Sequence, residues 1–405
     1  MQLKLIEMKE QILKKNNDVK NLLWIIGFFV VIFVLLCLLK TNVAICEWWS
    51  RTVSRGIIWF FGHITNWLGV SFFEIFVIVA IPIIISVIVL IAINFFKKNN
   101  VRGLKLILSL LCFALVFVTF YTACASFAYN RDELPFEFND EEITQEEVYQ
   151  VAKDYVAKLN EVSMRLPKDA NGAIVCPYTT KELSGLLAKE YELLNDEQFD
   201  GYFNSYTPRA KSSLFGVMMT EMHIVGLFFA PTAEAHVNTF CPSHDIASTM
   251  AHEMAHGKGV MREDDANFIS YYITLSSKDD YILFSGLYTL VGQILEAVLY
   301  FPNSQPVYEE LVQSISNDVK TTSAVSRVFW EEHDLLRDIE EFFNDQYLKA
   351  NGVQNGTDSY YGNNNADLNV DYDDLDDFGR PIVEVLSFSK AQKLIFLLAQ
   401  EGIFI

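Results

Sequence analysis

The sequence predicts a mainly α-helical membrane protein: three N-terminal transmembrane helices, then a largely helical domain with a small β edge. Apolar residues make up 51% of the 405 positions, more than a wholly soluble chain usually carries, and the excess sits in the first third. Beyond residue 129, apolar side chains recur at helical spacing behind capping signals. Only Met222 to Asn238 reads as strand.

A bilayer core of about 30 Å takes about 20 helical residues to cross. The runs Leu22–Leu39, Phe72–Phe96 and Leu104–Phe127 are long and apolar enough. Residues 1–21 then form a cytoplasmic N-terminus and 22–128 a three-span anchor. Lys14, Lys15 and Lys20 precede the first run as they would a signal peptide, but the run is too long for one and no small-x-small cleavage site follows. Ile45, between Ala44 and Cys46, stands where a lipoprotein site needs a small residue. A retained signal anchor is the reading that fits.

Orientation follows from the basic residues. Lys4, Lys9, Lys14, Lys15 and Lys20 precede the first span, and Lys97, Lys98, Arg102 and Lys105 separate the second from the third. Both groups are placed in the cytoplasm by the positive-inside rule, which puts residues 129–405 on the extracytoplasmic face of the cell membrane. The loop from 41 to 71 carries Trp48, Trp49, Trp59 and Trp67 with few charges, as an interfacial aromatic segment would.

Of 31 Lys and Arg residues 12 lie before residue 129, and of 51 Asp and Glu residues 5 do, leaving 19 against 46 outside, a net charge of −27. That excludes nucleic acid and anionic headgroups as partners of the outer domain. Six cysteines are too few for a disulfide scaffold. Cys37 and Cys112 fall in spans, and a Cys176–Cys241 pairing stays open.

In the outer domain, Arg131 to Asp140 is an acidic linker containing Pro135. A capping box, Thr144-Gln-Glu-Glu147, opens a helix reaching about Arg165. A second helix spans Thr180 to Leu194. Met222 to Asn238 reads as one or two short strands broken at Pro231. Tyr281 to Tyr300 is apolar, but Ser285, Gly286, Gln293 and Glu296 interrupt it, so it reads as a buried core helix rather than a fourth span. Helical periodicity returns from Thr321 to Leu348. The stretch 351–377 is an acidic low-complexity insertion, whose aspartates lack the spacing and bidentate Glu of a calcium loop.

The chemistry concentrates in Ala251-His-Glu-Met-Ala-His-Gly257. Residues four apart on a helix lie one turn apart on one face, so His252 and His256 can bind the same ion. Glu253 projects beside that face, where it can act as catalytic base without being a ligand. The plain alternative is an amphipathic helix whose two histidines are satisfied by hydrogen bonds. A catalytic zinc usually takes three protein ligands. Gly257 and Gly259 end the helix and allow a reversal, and Arg262-Glu-Asp-Asp-Ala-Asn267 opens a second helix. There Glu263 can reach the metal and Asn267, four residues on, can orient His252. Ala266 leaves room for the two helices to approach. Asp264 and Asp265 are rival ligands. Imidazole with carboxylate favours zinc.

His252-Glu253-x-x-His256 followed by Glu263-x-x-Ala266-Asn267 resembles the zinc metallopeptidases whose third ligand is a glutamate on the next helix. Heat-shock membrane proteases of that class carry a comparable Arg-Glu-x-x-Ala-Asp stretch, with Asp where this chain has Asn267. More closely, the chain resembles a bacterial family of unassigned function with three N-terminal spans and a HELAHQRGFAREDEANF-type motif. The likeness extends to Thr232-Ala-Glu-Ala-His-Val-Asn238 and Phe284-Ser-Gly286. That likeness strengthens the metal site and says little about substrate, whereas the resemblance to the zinc metallopeptidases implies a zincin-like extracytoplasmic domain, from 129 to 405, that hydrolyses protein or peptide substrates at the membrane surface. A zinc-binding sensor or scaffold with little turnover is the alternative. His236 is the first candidate for stabilising the oxyanion, ahead of Tyr271, Tyr272 and Tyr288, and Leu227 to Asn238 is a candidate sheet edge for an extended substrate. His223, His244 and His333 have no ligand-like spacing. Cleavage within the bilayer is excluded by the density of charged residues around the motif. Oligomeric state is not legible in the sequence.

Overall fold

Uninterrupted runs of Leu, Ile, Val and Phe bury no polar group when helical, and they account for the long helices of the N-terminal third. The computed structural model describes residues 2–136, 143–194, 199–353, 356–357, 370–375, 381–383 and 388–402. The chain divides into two units, one made of Met1–Asp132 with Ala230–Thr232, the other of Glu133–Phe229 with Ala233–Ile405.

In the first unit, α1 (Gln2–Leu39) is followed by α2 (Val43–Trp49), a π-helical turn (Ser50–Ser54) and α3 (Arg55–Trp67). Then come α4 (Phe72–Phe96) and α5 (Asn100–Tyr121), which runs into a second π-helical turn (Thr122–Ser126). Asn17–Leu39, Phe72–Phe96 and Asn100–Ser126 are long and apolar enough to cross a membrane. α5 packs against both α1 and α4.

The expected interfacial loop from 41 to 71 is instead largely helical. Its polar and aromatic groups find partners in the chain: Trp49 stacks on Phe127 at 4.4 Å and donates to the Ala123 carbonyl at 3.0 Å. Glu47 accepts two hydrogen bonds of 2.8 Å from Arg131. Trp48, Trp59 and Trp67 remain exposed.

The second unit is built on helices. α6 (Gln145–Ser163) and α7 (Thr180–Leu193) both begin at capping boxes, Thr144 with Glu147 and Thr179 with Glu182. β1 (Lys211–Ser212), α8 (Gly216–Glu221), β2 (Gly226–Phe229) and β3 (Glu234–Val237) follow. β3 is the middle strand, parallel to β1 and antiparallel to β2. The break expected at Pro231 is the turn between β2 and β3.

Next are α9 (Ile246–Gly257), α10 (Glu263–Leu275) and α11 (Asp280–Leu299). α11 is also long and apolar enough to cross a membrane, yet 61% of its apolar window is buried, against 6%, 0% and 11% for the three N-terminal helices. It packs against α6, α9 and α10, and the Tyr155 hydroxyl donates to its Leu287 carbonyl at 2.6 Å.

α12 (Gln305–Ser314), α13 (Asn317–Glu331) and α14 (Arg337–Asn351) complete the helical run. The single periodic stretch expected from Thr321 to Leu348 is thus two helices. The chain breaks where Leu336 N–H donates to the Glu221 carbonyl at 2.8 Å instead of continuing the helix. Most of the acidic insertion read at 351–377 lies outside the described residues, but Val370–Leu375 is a strand, β4, antiparallel to β5 (Pro381–Val383). α15 (Lys390–Gln400) closes the unit against α10 and α11. Cys176 and Cys241 are free thiols that donate to the Tyr178 and Asn238 carbonyls.

The Tyr155 bond pins α6 to the central helix. Tyr155→Phe should cost about 1 kcal/mol and lower the apparent melting temperature of the detergent-solubilised protein by about 2–4 °C. An unchanged melting curve would mean that the bond contributes nothing.

Candidate metal centre

α9 is fixed on several sides before its histidines matter. The Tyr191 hydroxyl donates to the Ala251 carbonyl and the Ser270 hydroxyl to the Ser248 carbonyl, each at 2.6 Å. β2 and β3 lie along another side. Its C-terminus turns at Gly259, whose φ of +94° suits glycine and where a Cβ would lie 3.2 Å from the Asn204 amide. Asn204 N–H donates to the Lys258 carbonyl at 2.7 Å. This reversal brings the Val260 carbonyl back under α9 and starts α10 antiparallel to it, with Ala266 fully buried.

The result is a convergence of three ligand-type side chains. His252, His256 and Glu263 have ligand atoms all within 4.8 Å of one another. Glu263 Oε2 is 3.1 Å from His252 Nε2 and 3.5 Å from His256 Nε2. In a tetrahedral zinc site with bonds near 2.0–2.1 Å, neighbouring ligand atoms stand about 3.3 Å apart. The two spacings to Glu263 lie close to those of such a site.

The other ring nitrogens are committed. His252 Nδ1–H donates to Asn267 Oδ1 at 2.9 Å and His256 Nδ1–H to the Val260 carbonyl at 2.7 Å. Those bonds orient both rings and turn both Nε2 atoms inward onto Glu263, where a metal ion would displace their protons, as outer partners of metal-binding histidines do. Asn267 had been expected to hold His252. The Val260 carbonyl has no sequence signature, because any residue supplies one.

The cluster is buried and strongly coupled. Burial alone would raise Glu263, but His256 and His252 outweigh it and hold the carboxyl at about 2. Burial would lower His256, yet the charge and hydrogen bond of Glu263, with Glu253, hold it up at about 9. Glu253 is raised above the ordinary carboxylate range, chiefly by burial.

Glu253 rests against the first residue of β2. A Cβ on Gly226 would fall 2.4 Å from Glu253 Oε1 and 2.7 Å from its Cγ. Only glycine lets the strand come so close, and nothing in the sequence marked that position. Along a strand successive side chains alternate between faces. Gly226 pairs with Val237 and Phe228 with Ala235, so these four share the face towards α9, and the Phe228 ring lies 6.0 Å from His256.

By the same alternation His236, paired with Leu227, points to the opposite face. There Lys211, its partner across β1, bonds Glu234 at 2.6 Å. The first candidate for oxyanion stabilisation is thus turned away from Glu253. Tyr272 packs beside Phe136 and Phe199, and Tyr288 against His244. Tyr271 lies one turn beyond Asn267 on α10. His223 and His333 pack on Trp330 and Phe329.

The rival acids also turn away. Asp264 and Asp265 accept hydrogen bonds from Lys390 Nζ at 3.0 and 2.9 Å, and Arg262 donates to Asp264.

A mainly helical chain with membrane-length helices and a buried His–His–Glu cluster is the class that these features define. A family described as a protein of unknown function, DUF3810, matches residues 49–363, and the chain belongs to it. No curated protein and no solved structure matches the chain. The family description carries no activity.

Two substitutions separate the parts of the centre. Gly226→Ala should push the Glu253 carboxylate aside while leaving the three ligand atoms in place, so metal affinity should stay within about twofold of wild type while any hydrolytic rate collapses. Asn267→Ala should act on the ion instead, weakening zinc affinity about 10- to 100-fold in a competition titration against a chelator. The reverse pattern would contradict this division.

Proposed function

We propose that this chain is a membrane-anchored, zinc-dependent metallopeptidase that cleaves peptide bonds of proteins or peptides at the extracytoplasmic membrane surface. The observation that carries this reading is the match between the 3.1 and 3.5 Å ligand spacings and a tetrahedral zinc site, with a buried carboxylate beside it. His252, His256 and Glu263 would hold the ion, leaving the fourth position of a tetrahedral site for the reaction.

Zinc in such a site polarises a carbonyl and makes water a nucleophile near neutral pH. The chain's own residues do the rest. Glu253, held between α9 and Gly226, takes the proton of the attacking water and returns it to the leaving nitrogen. Asn267 and the Val260 carbonyl keep the imidazoles aligned.

β2 is the outer strand of its sheet, and it begins at Glu253 and runs past His256. Its outer position suits an extended peptide, which pairs by main-chain hydrogen bonds and needs little side-chain recognition. β3 is the middle strand, so the edge expected over Leu227 to Asn238 narrows to β2. The net charge of −27 beyond residue 129 argues for a polypeptide rather than a nucleic acid partner, and the Lys and Arg distribution supports an outward-facing domain.

The test uses the detergent-purified full chain, with metal content by mass spectrometry and cleavage of an unstructured protein such as casein. Wild type should carry about one zinc per chain and cleave. Glu253→Gln should keep the zinc and lose at least about 100-fold in rate. Zinc with no cleavage of any unfolded substrate would favour the sensor or scaffold alternative, and no stoichiometric metal would overturn the reading.

A further inference from the structure

α10 opens with three consecutive acids, Glu263, Asp264 and Asp265, and the side chains of Glu263 and Asp265 are almost wholly buried. Three carboxylates in one helical turn repel one another, and each needs a cation or a metal to be tolerated away from water. Lys390 Nζ meets Asp265 Oδ1 at 2.9 Å, Asp264 Oδ2 at 3.0 Å and Glu133 Oε2 at 3.3 Å. Arg262 reaches Asp264 at 3.3 Å, Asp265 at 3.6 Å and Glu133 at 3.2 Å.

Both cations are thus committed to Asp264, Asp265 and Glu133. Glu263 alone is left facing the imidazoles. Lys390 comes from the first turn of α15, more than a hundred residues beyond the motif and outside the family match at 49–363.

The same helix is braced by the start of the second unit. Leu134 N–H donates to Asp265 Oδ2 at 3.3 Å, and the Phe136 ring packs on Phe268 at 4.8 Å. Asp265 is therefore held from two directions, by α15 and by the segment following Asp132.

We infer that Lys390 is a positioning residue that selects the third metal ligand: by neutralising Asp264 and Asp265 it leaves Glu263 as the acid offered to the ion. This rests on the metal reading above. Removing the ammonium leaves Arg262 as the remaining cation of the cluster against Glu133, Asp264 and Asp265. The added repulsion then falls on Glu263 and on the register of α10 against α9. Asn267, on the same helix, moves with it.

The test is zinc affinity by chelator competition, together with the visible spectrum of the cobalt-substituted full-length protein, for wild type, Lys390→Met and Lys390→Arg. Lys390→Met should weaken zinc about tenfold and change the tetrahedral cobalt bands, and Lys390→Arg should restore both. A merely structural role would lower the melting temperature equally in both variants and leave the cobalt spectrum unmoved. If the methionine variant does not fold, Lys390→Gln, which keeps the stem and a donor but not the charge, is read in the same way. Wild-type affinity and spectrum in the charge-free variant would overturn the inference. Wild type that takes up no zinc would instead remove the metal reading on which it rests.

Discussion

Burying a carboxylate beside two imidazoles is unfavourable unless every charge finds a partner, and the arrangement of the second unit follows from meeting that condition. Glu263 is answered by His252 and His256, and Asp264 and Asp265 by Arg262 and Lys390. The imidazoles are answered on their far sides by Asn267 and the Val260 carbonyl. The partners come from α9, α10, the turn between them and α15, so these three helices are held together by the electrostatics of the cluster as well as by packing.

Backbone geometry makes the cluster possible. The left-handed turn at Gly259 sets α10 antiparallel to α9, and Gly226 admits the β2 backbone against Glu253. Central packing comes from α11, an apolar helix whose one serine is buried and bonded: Ser285 Oγ accepts from the Ser248 N–H of α9 at 3.0 Å. The surrounding frame therefore reaches α9 through hydrogen bonds and close glycine contacts. Such a frame suits a site whose ligand atoms must stay within a few tenths of an ångström.

What was legible in the sequence was what is local in the chain. The spacing from His252 to His256, Glu253 between them and the i,i+4 step from Glu263 to Asn267 all reduce to helical periodicity, and they identified the cluster and its outer hydrogen bond. A capping box placed the start of α6. His236 failed as a neighbour of Glu253 because strand parity depends on which face meets α9, and Gly226 sets that across the hairpin. The tryptophan-rich segment before α4 was missed as helix because its partners, Phe127, Ala123 and Arg131, lie beyond two later helices. Lys390 had no local sign at all: its role arises from an encounter between chain segments 125 residues apart.

Zinc-edge X-ray absorption on the purified full-length protein tests the central claim most directly, because it reads the ligand set without depending on a substrate. The expected result is a four-coordinate shell of nitrogen and oxygen at about 2.0–2.1 Å, with the outer-shell scattering of two imidazoles. A sulfur shell near 2.3 Å, a six-coordinate oxygen shell or a single imidazole would contradict it.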